Sequence, residues 1–156
     1  MPVDRGELRR IADAAEVARR SEEAQRRRDR REEASAQRKK IAEAAEKILG
    51  SVPDALKKAA ASARRTSSKG GRVVVAHIPI VEERFSSIMQ SAGDLDAEDE
   101  GILRAVRRNI KGLRIPGVEL KIRSETREGG YQSADGDDTV YGPCKDYYIE
   151  ARTDID

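Results

Sequence analysis

RVVVAHIPI, residues 72–80, separates a run of sequence that reads as helix from a run in which helix and strand signals alternate. Three consecutive valines and Ile78 favour a pleated, largely buried segment. In a strand, Val73, Val75 and His77 share one face while Val74, Ala76 and Ile78 share the other. Pro79 has no N–H to give to a ladder and is expected to stop the strand. Without this run the chain would read as helical through its first half; with it, an α+β fold is predicted.

Upstream, residues 3–49 contain no proline, one glycine near the start, and mostly Ala, Glu, Arg, Lys and Gln, all strong helix formers. One long helix is predicted, ~70 Å if unbroken at ~1.5 Å per residue. Asp4 is the expected amino-terminal cap and Gly50 the expected left-handed closing residue. Leu8, Ile11, Ala15 and Ala18 recur at spacings of three and four near the start, and Ile41, Ala45, Ile48 and Leu49 do so near the end. Both stripes are candidates for binding a protein partner, by self-association or otherwise.

Between the stripes lies RRSEEAQRRRDRREEASAQRKK, residues 19–40. Continuing the heptad from Leu8 puts Glu22, Gln25, Asp29 and Glu32 where a coiled coil needs apolar residues, so a continuous coiled coil is not expected. Glu22 with Arg26 and Glu23 with Arg27 have the acid-first spacing that supports a solvated helix. The alternative is nucleic-acid binding through Arg26, Arg27, Arg28, Arg30 and Arg31, joined by Lys57, Lys58, Arg64 and Arg65 in a basic stretch over 57–72. Against it, residues 1–49 hold 14 basic and 11 acidic side chains, a near balance.

Ser51 can cap a second helix with Pro53 in its first turn, running to about Arg65. TSSKGG, 66–71, reads as a flexible loop that lacks the spacing of a phosphate loop. Beyond the valine strand, Val81, Phe85, Ile88, Met89 and Ala92 have helical spacing. Asp96 then caps a further helix whose Ile102, Leu103, Val106, Ile110 and Leu113 form a buried stripe. RIPG, 114–117, breaks the chain. Val118, Leu120 and Ile122 next alternate with Glu119, Lys121 and Arg123, and Tyr147, Ile149 and Ala151 alternate with Tyr148, Glu150 and Arg152, predicting two half-exposed strands. Residues 124–145 between them read as a hairpin tip or a functional loop.

These elements predict a long amino-terminal helix, then a small domain with a three-stranded mixed sheet and helices on one face. The first two strands are expected to run parallel through a crossover and the last two to pair antiparallel. The implied divisions are an arm over 1–49, a helix and linker over 50–71, and an α+β domain over 72–156. With so few aromatics, residues 41–65 or a partner are expected to cover the sheet.

Charge is unevenly shared. Up to Arg72 there are 20 Lys/Arg against 12 Asp/Glu, a balance of +8, and the remainder has 11 against 17, a balance of −6. No apolar run approaches the ~20 residues of a membrane span, and MPVDRGELRR lacks the apolar centre of a secretory signal, so no membrane association is expected. The single cysteine, Cys144, makes no internal disulfide. A cytoplasmic location, or a virion assembled in the cytoplasm, follows as the expectation.

Catalytic, cofactor and metal signatures are lacking. His77, the sole histidine, has no second histidine or cysteine pair with which to build a usual zinc site. Asp135, Asp137 and Asp138 lack the closing glutamate of a calcium loop. The sequence leaves a Cys144–His77 dyad open, but one residue of each type in the chain makes the coincidence uninformative. The composition therefore predicts a non-enzymatic protein. DALKKAAASARR leading into VVVAHIPI, with the terminal hairpin containing DYYIE, resembles an arrangement in small proteins of tailed bacteriophages, over 51–80 and 146–151. That resemblance implies a virion or accessory protein and transfers no functional residue.

Overall fold

The computed structural model describes residues 3–63, 71–82, 95–132 and 139–155. The chain divides into two units, Met1–Lys40 and Ile41–Asp156. Helix α1 spans Arg5–Gly50. The Asp4 side chain accepts the Gly6 N–H at 3.0 Å and its carbonyl accepts the Leu8 N–H at 3.1 Å, so Asp4 is the predicted cap.

The other end of α1 departs from expectation. Gly50 is helical, and the only positive φ among the described residues is at Gly117, at 75°. The break comes from Pro53, which has no N–H for the carbonyl four residues back. Ser51 keeps helical backbone angles, and its hydroxyl donates back to the Ile48 carbonyl at 2.6 Å instead of capping forward. Helix α2, Val52–Ser62, follows at once. The TSSKGG loop through Gly70, Arg64, Arg65, the helical spacing from Phe85 to Ala92, and Asp135, Asp137 and Asp138 lie outside the described residues.

Strand β1, Arg72–Glu82, buries Val74, Ala76, Ile78 and Ile80 and leaves Val75, His77 and Pro79 exposed, as the alternation requires. Pro79 does not end it. The ladder to β3 shifts register between Pro79 and Val81, leaving Ile80 as the extra residue of a bulge. An edge strand tolerates proline at such a position, and the bulge turns both Ile80 and Val81 into the core.

Helix α3, Ala97–Asn109, starts at Asp96, whose carboxylate accepts the Asp99 N–H at 2.7 Å, and tightens into a 3-10 turn over Ile110–Gly112. Acidic residues in its first turn and Arg107 and Arg108 in its last complement the helix dipole. Strands β2, Glu119–Gln132, and β3, Thr139–Ile155, form a hairpin much longer than the two short strands read from the alternation, so the described part of 124–145 is mostly ladder.

The sheet order is β1-β3-β2 and every pairing is antiparallel, which corrects the expected mixed sheet. β1 and β2 do run in the same direction, but the crossover places β2 one strand further out, and β3 returns into the gap between them. Burial explains the choice: β3 carries the fully buried Ile149 and Ala151, and a central strand is covered by a neighbour on each side. Ile78, Ile149 and Ile122 stand in one row across the sheet, with Ala76, Ala151 and Leu120 in the next.

Helices cover one sheet face. Ala45 and Leu49 of α1, Val52 of α2, and Leu103, Ala105 and Val106 of α3 share one core with the inward residues of β1 and β3. The expected cover from residues 41–65 is thus supplied by 41–49 and α2. The opposite face stays polar, with ion pairs Glu119–Lys121 at 2.8 Å, Arg123–Glu150 at 3.9 Å and Arg127–Asp146 at 2.7 Å.

Candidate docking surfaces on the helical arm

Alanine and charged residues make the amino-terminal part of α1 helical without help from packing, and that is what leaves its apolar residues bare. Leu8 is 52% exposed, Ile11 60% and Val17 68%, and Ala15 and Ala18 are exposed as well. Leu8, Ile11, Ala15 and Ala18 lie along one side of the helix, as their spacing demands. Each exposed leucine or isoleucine brought out of water by a partner would contribute ~1.5 to 3 kcal/mol.

The second predicted stripe has a different fate. Ala45 is fully buried, and Ile41 and Ile48 are half-buried against the same core. Ile41 is in direct reach of α3, because a Cβ on Gly101 would stand 2.7 Å from its Cδ1. These three side chains are therefore not a free docking face: the chain's own sheet and helices occupy it.

Arg26, Arg27, Arg28, Arg30 and Arg31 are all exposed, as are Lys57 and Lys58 on α2. Around them, Arg20 pairs with Glu16 and Gln25 donates to Asp29 at 2.8 Å. A feature missed by counting charges emerges once the helix is laid out at ~100° per residue. Arg20, Arg27, Arg31 and Arg38 fall within about 20° of one line, and Glu22, Asp29 and Glu33 fall within about 20° of a line on the far side. The near balance of charge over the arm hides this partial segregation, which Lys40 on the carboxylate line and Glu23 beside the arginine line interrupt. A helical projection of residues 19–40 is the signal that reveals it.

Residues capable of chemistry are kept apart. His77 is exposed on the polar sheet face, its ring 4.8 Å from that of Tyr148 and tilted by 43°. Cys144 is fully buried and stands opposite Arg127. His77 stands opposite Glu150, so the two lie six residues apart along β3, or ~20 Å at ~3.4 Å per residue. No Cys144–His77 dyad forms. Among the described residues no cluster of His, Cys, Asp and Glu is placed to hold a metal ion.

Electrostatic shifts on the polar face have local causes. The Glu119 carboxyl is held below the ordinary glutamate range by a hydrogen bond from Lys121 and by that ammonium's charge. The Arg127 guanidinium is pushed further up by its hydrogen bond to Asp146. Both arrangements are ordinary for a solvated antiparallel sheet face and create no acid–base pair.

Among the described residues no helix is long and apolar enough to cross a membrane. No protein-family model, curated protein or solved structure matches this chain.

Proposed function

We propose that this chain is a non-enzymatic interaction protein, a structural subunit of a larger assembly that docks through its helical arm. The observation that carries the reading is the exposure of Leu8, Ile11 and Val17 on a helix whose later apolar residues, from Ile41 onward, are buried in the chain's own core. A folded domain holds one end of α1, and the apolar residues of the other end are exposed among the described residues. The resemblance of the strand and hairpin to tailed-phage proteins points to a virion as the assembly. The exposed stripe supports docking on a protein surface or on another copy.

Replacing Leu8 and Ile11 together by serine tests this. Both positions are solvent-facing, so thermal unfolding of the domain is expected to stay within the spread of an ordinary surface substitution, ~0.5 kcal/mol. Incorporation into the native assembly is expected to fall by at least tenfold. Unchanged incorporation would refute docking through the stripe.

A second reading, binding of nucleic acid, is favoured by the alignment of Arg20, Arg27, Arg31 and Arg38 on one line. It requires an affinity for DNA or RNA that falls steeply with salt, with a slope that flattens when those arginines are replaced by glutamine. Carboxylates at positions 22, 29 and 33 count against it.

A further inference from the structure

We infer that the arm's partner is a second copy of this chain, laid antiparallel so that Leu8 and Ile11 of one copy meet Ala18 and Ala15 of the other. The inference deepens the docking reading above and rests on it. What carries it is the self-complementary bulk of one exposed face. At ~100° per residue, Leu8, Ile11, Ala15 and Ala18 lie within ~40° of one line, the large residues first and the small ones after, and all four are exposed. Reversing a second copy about a two-fold axis beside residue 13 sets each large side chain against a small one in every apolar layer, which is how apolar surfaces interlock without gaps. Slipping one copy by a heptad loses the match, because one direction sets Ala15 against Asp4 and the other sets Ile11 against Glu22. Nearest the axis, the residues ~80° to either side of the seam are Ala12 and Ala14, so nothing bulky props the two backbones apart.

The reach of the stripe fits the overlap. In this register residues 4–22 of the two copies lie side by side, and the charged run from Glu23 onward has no counterpart to face. The folded unit begins at Ile41, ~28 Å further along α1 than the end of the overlap, so the contact needs no surface that the sheet and α3 already cover. A parallel copy in register would instead carry the seam on into Glu22 against Glu22 and Asp29 against Asp29. At each end of the antiparallel overlap Asp4 faces Glu22, and Arg5 and Arg19 flank that pair on one side, so acidic and basic groups balance.

The contact uses the same patch on both copies, so it is isologous and closes at a dimer. Leu8 and Ile11 are its only large apolar side chains, so it is expected to bury less than the ~1,200 Å² of a standard interface and to form in the range of ~10 μM to ~1 mM.

The test uses the full chain in sedimentation equilibrium. As concentration rises to ~1 mM the native mass is expected to climb from 17.3 kDa toward twice that value, and to do so at ~1 M salt as well, because an apolar contact is not screened. Leu8→Ala is expected to weaken association at least tenfold. Leu8→Ala combined with Ala18→Leu is expected to recover it, because the bulk in that layer only changes sides. Both positions are solvent-facing and receive good helix formers, so helix content by circular dichroism is expected to be unchanged. Orientation is read from a short thiol-to-thiol crosslinker, with the native chain and its buried Cys144 as the blank. Ala14→Cys, beside the axis, is expected to crosslink to its own copy, and Gln25→Cys, beyond the overlap, is not.

A double substitution no heavier than Leu8→Ala alone would overturn the inference, and so would crosslinking through Gln25→Cys but not Ala14→Cys. A mass that nuclease or ~1 M salt removes would also overturn it and assign the association to charge. A native chain that stays monomeric at ~1 mM, while the Leu8 and Ile11 substitutions by serine still abolish incorporation, would overturn this inference and leave the docking reading standing.

Discussion

A Cβ on Gly101 would stand 2.7 Å from the Cδ1 of Ile41, so α1 and α3 meet where one of them has no side chain. The obstructing atom is the end of a flexible side chain, which can swing aside. Gly101→Ala is therefore expected to be nearly neutral, since alanine gains ~1 kcal/mol of helix propensity over glycine. Gly101→Val brings branched bulk to the same gap and is expected to destabilise by ~1 to 3 kcal/mol. Combined with Ile41→Ala, Gly101→Val should cost less than the sum of the two single changes, as read from urea denaturation midpoints.

Ile149 lies fully buried at the middle of the central strand, between Ile78 and Ile122. Ile149→Ala removes contacts to both edge strands at once and is expected to cost ~2 to 5 kcal/mol. Val75→Ala, on the opposite face of the same sheet where Val75 is 41% exposed, is expected to cost under ~1 kcal/mol. Similar losses at the two positions would contradict a one-sided sheet.

The Asp96 carboxylate accepts the Asp99 N–H at 2.7 Å and so satisfies one of the free donors at the start of α3. Asp96→Ala is expected to lower stability by ~1 kcal/mol, while Asp96→Asn or Asp96→Ser should recover most of it. Equal losses in alanine and asparagine variants would assign the effect to charge instead of capping.

Glu119, with its pKa lowered chiefly by the hydrogen bond from Lys121, ties a small part of stability to pH. A carboxyl depressed in the folded state stabilises above its unfolded pKa and loses that contribution as pH falls through its folded value. A carboxyl-detected NMR titration is expected to place Glu119 below an unperturbed glutamate, and Lys121→Met is expected to return it upward. A Glu119 titration that Lys121→Met leaves unmoved would assign the shift to Arg152 and Arg123 instead.

Much of this architecture is legible along the chain because its causes are local. Asp4 and Asp96 cap helices by bonding residues two or three positions away, and alternation in β1, β2 and β3 names the inward residues before any strand is paired. The failed expectations about the sheet are those in which distant segments compete for the same surface, whereas the end of α1 turned on a proline three residues further on. Pro79 was expected to end β1, but an edge strand accommodates it with a bulge. Gly50 offered a left-handed closure, but Pro53 supplies the break. The crossover was expected to set β1 beside β2, but β3 buries more apolar surface at the centre.

By itself the sequence determined the long first helix and α3, the Asp4 and Asp96 caps and the faces of the strands, because each depends on spacing within a few turns or residues. Only the tertiary structure decided that Ile41, Ala45 and Ile48 turn inward while Leu8 and Ile11 stay bare, since identical apolar spacing serves a core or a partner equally. The same holds for His77 and Cys144: sequence lets them meet, and the β1–β3 register holds them six residues apart along one strand. Burial is a property of what lies opposite, and what lies opposite is set by contacts between segments far apart in the chain.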